Sequence, residues 1–288
     1  MTTNDDDTME GRICVVTGAT SGLGKATALG LAARGATLVL VCRDRDRGER
    51  VRQEIRAATG NPNVECALGD LSDPASIREC ARAIMKRHPA VRVLVNQAGL
   101  VTSRREVTRD GLEMMFAVNH LAYFALANGL RPALQAGAPS RIINVGGGIQ
   151  AAGDIHFEDL QAERRFGWFR QLAQSKLANV LFTYEMARRL EGTGVTVNCV
   201  DPGGVRTNLG KHTGGLPRVL ATVFRPLFAT PERGAQPAIW LASSPALERV
   251  TGRYYQKKQD KRSSPKSYDE AIAARLWDVS AELAHLDG

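Results

Sequence analysis

Long apolar runs are missing from this chain. No stretch of about 18 consecutive residues is apolar enough to span a bilayer. The polar opening from Met1 to Thr8 does not read as a signal peptide. The expectation is therefore a soluble cytoplasmic protein with no membrane partner, its residues 1–9 forming a disordered tail. Cysteine is sparse: Cys14, Cys42, Cys66, Cys80 and Cys199 include no Cys-x-x-Cys spacing. All but Cys80 fall in or beside apolar strand candidates, so buried free thiols are expected. Aromatic residues make up only 6%, and none interleaves with the arginines that raise the net charge to +8. From Arg43 to Arg56 those arginines alternate with Asp44, Asp46, Glu49 and Glu54, as on a solvated helix face. No nucleic-acid motif accompanies them, and no nucleic-acid partner is expected. His156, Glu158 and Asp159 lie close together in sequence, but one histidine with nearby acids lacks metal-site spacing and reads as a loop.

The most informative stretch is Ile13-Cys14-Val15-Val16-Thr17-Gly18-Ala19-Thr20-Ser21-Gly22-Leu23-Gly24, followed by an Ala/Leu-rich segment. A short apolar run reads as a buried parallel strand, and a helix follows its glycine-rich turn. Gly18 permits the sharp turn, Gly22 lets a phosphate approach the backbone, and Gly24 lets the helix pack close to the strand. The helix N-terminus then presents free N–H groups and a positive dipole end to an anion. Strand, turn and helix together mark a nucleotide site.

Strand and helix alternate along the whole chain. Further strands are predicted at 37–42, 63–68, 91–96, 141–145 and 195–200, with a seventh at 252–255 at an edge. The alternation predicts one α/β domain over residues 10–288, its parallel sheet of about seven strands covered by helices on both faces. Ligands then bind at the carboxyl ends of the strands. Arg43 directly follows the second strand, where an acidic residue would take a ribose 2′-hydroxyl and an arginine would take a 2′-phosphate. NADP(H) is therefore favoured over NAD(H). The basic run Lys257–Arg262 is expected to be an exposed loop. Near the C-terminus, Ile272, Leu276, Val279, Leu283 and Leu286 recur at helical spacing, the pattern of a helix laid against the core.

The turn spacing Thr-Gly-x-x-x-Gly-x-Gly resembles the short-chain dehydrogenase/reductase family, a doubly wound Rossmann-type fold, and later motifs agree. Asp70-Leu71, Asn96-Gln97-Ala98-Gly99, Asn119 and Asp201-Pro202-Gly203-Gly204-Val205-Arg206-Thr207 occur in the family's order and spacing, with Gln97 departing from its usual asparagine. The segments 153–161, 175–183 and 276–283 narrow the likeness to the retinol-dehydrogenase-like branch, whose members often carry an N-terminal membrane anchor. The resemblance implies cofactor contacts at Thr17, Gly18, Thr20, Ser21, Gly22, Leu23, Gly24, Asp70, Leu71, Asn96, Ala98, Gly99 and Lys176. It implies nicotinamide contacts at Pro202, Gly203, Val205 and Thr207. Asn119 would help to hold a proton-relay water. A substrate lid is expected at about 205–235. A homodimer or homotetramer is expected through the apolar helices around Asn119 and Lys176.

The family's chemistry uses a serine after the fifth strand, a tyrosine four residues before a lysine, and that lysine. Lys176 is present. Leu172 stands at the tyrosine position and Gly147 at the serine position. No register shift restores them, because no tyrosine lies between Tyr123 and Tyr184 and no serine between Ser140 and Ser175. Losing a positioned general acid removes about 10²–10⁴ in rate, and losing an oxyanion donor about 10²–10³ more. Ordinary ketone reduction is expected to be weak.

Three readings compete. One is an atypical NADP(H) oxidoreductase acting on a small, largely apolar substrate. It transfers hydride to an iminium or an activated C=C, or draws its proton from His120, Tyr123 or His156. Another is a non-redox cyclase, isomerase or lyase that keeps the cofactor as structure. The last is a non-catalytic NADP(H)-binding module. In each catalytic reading Gly147, Gly148, Trp168, Phe169, Leu172, Phe224 and Phe228 line an apolar pocket.

Overall fold

The computed structural model describes residues 8–205 and 229–286. Its strands are β1 (Ile13–Thr17), β2 (Thr37–Cys42), β3 (Val64–Leu68), β4 (Val93–Asn96), β5 (Ser140–Val145), β6 (Val195–Asp201), β7 (Arg253–Gln256) and β8 (Gln259–Lys261). They form one sheet in the order β3-β2-β1-β4-β5-β6-β7-β8. Every neighbouring pair is parallel except β7–β8. Strand order reverses between β1 and β4, which opens a crevice beyond their carboxyl ends.

The apolar runs divide by alternation, because successive side chains point to opposite faces. Val15, Val39, Val41, Leu94, Ile142 and Val197 face α3 (Pro74–Arg87), α5 (Ala122–Gly129) and α7 (Trp168–Arg189). Val16, Leu38, Leu40, Val95, Ile143 and Val200 face α1 (Gly22–Ala32), α2 (Arg45–Thr59) and α8 (Pro231–Ser243). Between these lie α4 (Met114–Phe116), a π-helical turn at Ala117–Leu121, and α6 (Arg131–Ala136). Among the described residues no helix is long and apolar enough to cross a membrane.

Two expectations need correction. The sheet has eight strands, because the basic run forms a hairpin with β7. Lys257 and Lys258 form its two-residue turn, with φ of 51° and 63°. Left-handed backbone at both turn positions suits a type I′ hairpin, a conformation normally signalled by Asn or Gly. Two lysines gave no such signal. The expected tail is also too long, since Met9 is fully buried and its N–H donates to the Arg34 carbonyl at 2.8 Å. Four of the five thiols are buried, Cys66 being half-exposed, and all five are free.

The last helix, α9 (Glu270–Leu283), lies along α7 and touches α5. Beyond the predicted apolar face, Trp277 fixes its placement. The indole stands edge-on to Phe124, with centroids 4.8 Å apart, and Arg189 covers it at 4.3 Å. Arg78 donates to the Ala284 carbonyl at 3.0 Å and secures the helix end. Thus α9 covers part of the apolar face that the family resemblance assigns to subunit contact.

Because Trp277 is half-buried, Trp277→Ala is expected to cost about 2–3 kcal/mol. Trp277→Phe should retain most of that stability. Urea denaturation of the three proteins measures the difference.

Candidate active site

The site begins where β1 turns into α1. Gly18 has φ +65°, and a Cβ there would stand 2.8 Å from the Ala98 Cα beyond β4. A Cβ on Gly24 would stand 2.2 Å from the Gly18 carbonyl oxygen. Two missing side chains therefore let the turn press against both β4 and its own helix. Thr17 fixes the join: its Oγ1 accepts from the N–H groups of Gln97 (2.8 Å) and Ala98 (3.0 Å). Ser21, at the helix start, makes no side-chain cap, and no acid occupies the first turn. By contrast α2, α3, α8 and α9 are capped by Asp44, Asp73, Thr230 and Asp269. The half-exposed segment Thr20–Leu23 thus leaves the first N–H groups of α1 open to an anion. This cradle fits the diphosphate of a dinucleotide.

Directly after β2, Arg43 is exposed and makes no ion pair among the described residues. The neighbouring Asp44 carboxylate is occupied in accepting Arg47 N–H at 2.9 Å as the cap of α2. Asp70 Oδ1 accepts from Ser72 N–H and Oγ, at 2.9 and 2.7 Å. The Leu71 side chain packs into the core. Asn96 Nδ2 donates to Asn144 Oδ1 at 2.9 Å, and Asn144 Nδ2 to Thr183 Oγ1 at 3.0 Å, tying β4, β5 and α7 together. Gly99 is half-exposed beside this ladder.

Lys176, half-buried on α7, donates from Nζ to the Val145 carbonyl at 3.1 Å, at the end of β5. Burial lowers its pKa to about 8, against the opposing pull of Cys199 and Asp201. Asn119 lies in the π-helical turn, and its side chain straps two segments together. It accepts from Leu100 N–H at 2.8 Å and donates to Ser175 Oγ at 3.2 Å. Its main-chain carbonyl accepts from Asn179 Nδ2 at 2.8 Å. Ser175 is buried and donates to the Leu172 carbonyl at 2.9 Å, so it does not stand in for the missing serine. Leu172 is half-buried one turn before Lys176. A Cβ on Gly147 would meet nothing closer than Ile149 Cγ2 at 4.0 Å. The serine position is open among the described residues, but its φ of +159° is one that L side chains rarely adopt.

The three proton donors suggested from sequence lie as follows. His120 is fully buried, with Nδ1 3.3 Å from Asn179 Oδ1 and Nε2 3.0 Å from Ser280 Oγ. Burial drives its pKa down to about 4, so its ring joins α9 to the core and holds no proton for substrate. Tyr123 is buried as well, and its hydroxyl donates to the Ala98 carbonyl at 2.8 Å. Its ring centre lies 6.0 Å from Lys176 Nζ, and burial pushes the phenol pKa upward. His156 is part-exposed on the loop before α7, 3.8 Å from Glu158. Of the three, Tyr123 has its ring near Lys176, and its proton is already committed.

Trp168 opens α7 and meets Phe169 edge-on at 5.7 Å, Phe169 being exposed. Beyond β6, Pro202 is half-buried and Gly203 donates its N–H to Asp201 Oδ1 at 2.8 Å. Val205 bridges to Ala229. Gly234 on α8 lets that helix close in, since a Cβ there would stand 2.5 Å from Val205 and 3.0 Å from Leu23. Thr207, Phe224, Phe228 and most of the expected lid fall outside the described residues. Sequence reasoning overlooked Asp201 as a site residue. Its carboxylate accepts from the Tyr254 hydroxyl at 3.1 Å and Gln256 Nε2 at 2.9 Å. The only signal was its place before Pro202.

A doubly wound sheet, an uncapped glycine-rich helix start and a lysine at the end of β5 define a dinucleotide-binding oxidoreductase fold. Residues 12–214 match the family model described as short chain dehydrogenase. The chain belongs to the short chain dehydrogenase family. It is 44% identical over 287 residues to retinol dehydrogenase 13 of Mus musculus, covering 97% of this chain and 85% of the relative. It is 42% identical over 300 residues to retinol dehydrogenase 14 of Homo sapiens, covering 98% and 89%. Among solved structures, an uncharacterized protein from Mycobacterium paratuberculosis aligns with a TM-score of 0.79 at 31% identity, covering 96% and 95%. The Pseudomonas aeruginosa RhlG complex with NADP aligns at 0.72 and 25% identity, covering 88% and 97%.

The buried His120 generates a pH prediction. Its folded pKa is depressed, so the unfolded chain takes up the proton first as pH falls. The stability from its neutral form is present above about pH 6.5 and is lost progressively toward about pH 4. The loss amounts to roughly 3 kcal/mol. Denaturation curves from pH 7 to 4 should show this slope in the wild type and its absence in His120→Gln.

Proposed function

We propose that the protein is an NADP(H)-dependent oxidoreductase for a small, largely apolar substrate, working without the family's serine and tyrosine. The observation that carries this reading is a retained cofactor cradle and Lys176 beside an emptied Gly147–Leu172 wall. Bound NADP(H) supplies or accepts a hydride at its nicotinamide. The first turn of α1 would hold the diphosphate, Arg43 the 2′-phosphate, and Lys176 the nicotinamide ribose. Leu172 and the Gly147–Gly148 turn present no proton. Acceptors that need none suit such a wall: an iminium, or an activated C=C whose enolate takes its proton from solvent. The relatives' name, retinol dehydrogenase, supports an apolar substrate. A homodimer or homotetramer on the helices around Asn119 and Lys176 would have to accommodate α9.

The lowered pKa of Lys176 favours a second reading, in which an amine neutral part of the time acts as a base in cyclase or isomerase chemistry. NADPH is consumed under the first reading and not under the second.

Titration with NADPH and NADH, followed by nicotinamide fluorescence and thermal shift, tests the cofactor assignment. NADPH should bind more tightly, and Arg43→Asp should reverse the order. Binding of neither would remove the oxidoreductase reading. The altered wall has its own test in Gly147→Ser combined with Leu172→Tyr. The pair should raise turnover of a lipophilic aldehyde or ketone by about 10²-fold or more. Because Gly147 has φ +159°, the Leu172→Tyr variant alone and the melting temperature of the pair are measured beside it; an unchanged low rate in variants as stable as the wild type would show that the missing groups are not what limits ordinary carbonyl chemistry.

A further inference from the structure

We propose that Asp201 is a specificity-determining residue that selects a substrate bearing a positively charged nitrogen. The inference deepens the oxidoreductase reading and rests on it for the place where substrate sits.

Asp201 ends β6 directly beside the end of β5, where Gly146 N–H donates to the Val200 carbonyl at 2.9 Å. It is 2% exposed, and its donors among the described residues are all neutral: Gly203 N–H, the Tyr254 hydroxyl and the Gln256 amide. These donors fix the carboxylate, and the charge that acts on it among the described residues is that of Lys176. Glycine at the next two positions of the turn strips the wall between this carboxylate and the serine place. A Cβ on Gly148 would stand 3.3 Å from Asp201 Oδ2, and Gly147 leaves open space. Lys176, the nearby cation, gives its hydrogen bond to the Val145 carbonyl.

The sign of this charge decides which substrate the wall can serve. Carbonyl reduction builds negative charge on oxygen and needs donors there. A carboxylate at that place opposes it, because like charges brought together cost free energy. A protonated amine or an iminium reverses the interaction. The same wall that lacks an acid for a ketone offers an anion to a cation.

Calorimetric titration compares N-benzylpyrrolidine, a cation at neutral pH, with the uncharged N-benzylpyrrolidinone, on the protein with and without NADP+. The amine should bind the wild type about tenfold more tightly or better, the range of a hydrogen bond to a charged group. Asp201→Asn should abolish the preference. Gly148→Ala, which keeps the charge and sets a methyl group over Oδ2, should weaken amine binding and guards against an Asp201 variant that fails to fold. Equal binding of amine and lactam to the wild type, or a preference that survives Asp201→Asn, overturns the proposal. Failure of NADP+ to bind, with the amine preference intact, removes the oxidoreductase reading and leaves the cation site standing.

Discussion

The close approach of the β1–α1 turn to the end of β4 governs the rest of the molecule. Gly18 admits the Ala98 backbone to a distance no side chain permits, and Gly24 brings α1 down onto the Gly18 carbonyl. Thr17 then takes both N–H groups that β4 leaves unpaired as it ends. With that join fixed, the order of β1 and β4 places a crevice beside an uncapped helix start. Substituting either glycine would push apart elements whose remaining surfaces are buried core. The anion cradle and the stability of the fold are therefore one constraint.

Much of this architecture was legible in sequence because buried parallel strands must be apolar on both faces. The runs at 13–16, 37–42 and 195–200 have few other uses, and the structure places strands there. What escaped notice has physical reasons. The β7–β8 hairpin turns on Lys257 and Lys258, whose side chains say nothing of the left-handed backbone they adopt. Met9 is a single apolar residue after a polar run, and only its docking beside Arg34 reveals that it is core. Trp277 fell outside the expected helix face because its partners, Phe124, Phe182 and Arg189, come from two other helices.

The glycine turn between β1 and α1 was legible in sequence, and the proton donors were misleading. Glycine spacing can be read in one dimension because it answers to local backbone geometry. Proton donors cannot, because a donor is defined by what else holds its proton. His120 follows Asn119 directly in sequence, yet its ring nitrogens meet Asn179 and Ser280, far along the chain. Tyr123 approaches Lys176, but its hydroxyl is spent on Ala98. Asp201 was passed over for the converse reason: its partners Tyr254 and Gln256 lie more than fifty residues later.

These placements narrow the chemistry further than composition could. The wall around Lys176 presents Gly147 and Leu172, without a hydroxyl, and has the Asp201 carboxylate behind Gly148. A donor-rich wall stabilises oxygen as it becomes negative. An apolar wall backed by a carboxylate stabilises a centre already positive, and such a centre accepts hydride without any proton. Glycine and leucine at positions 147 and 172 and a buried carboxylate at position 201 are separate features of the chain. Both favour an electrophile that arrives charged, and neither favours a carbonyl that must be activated in place.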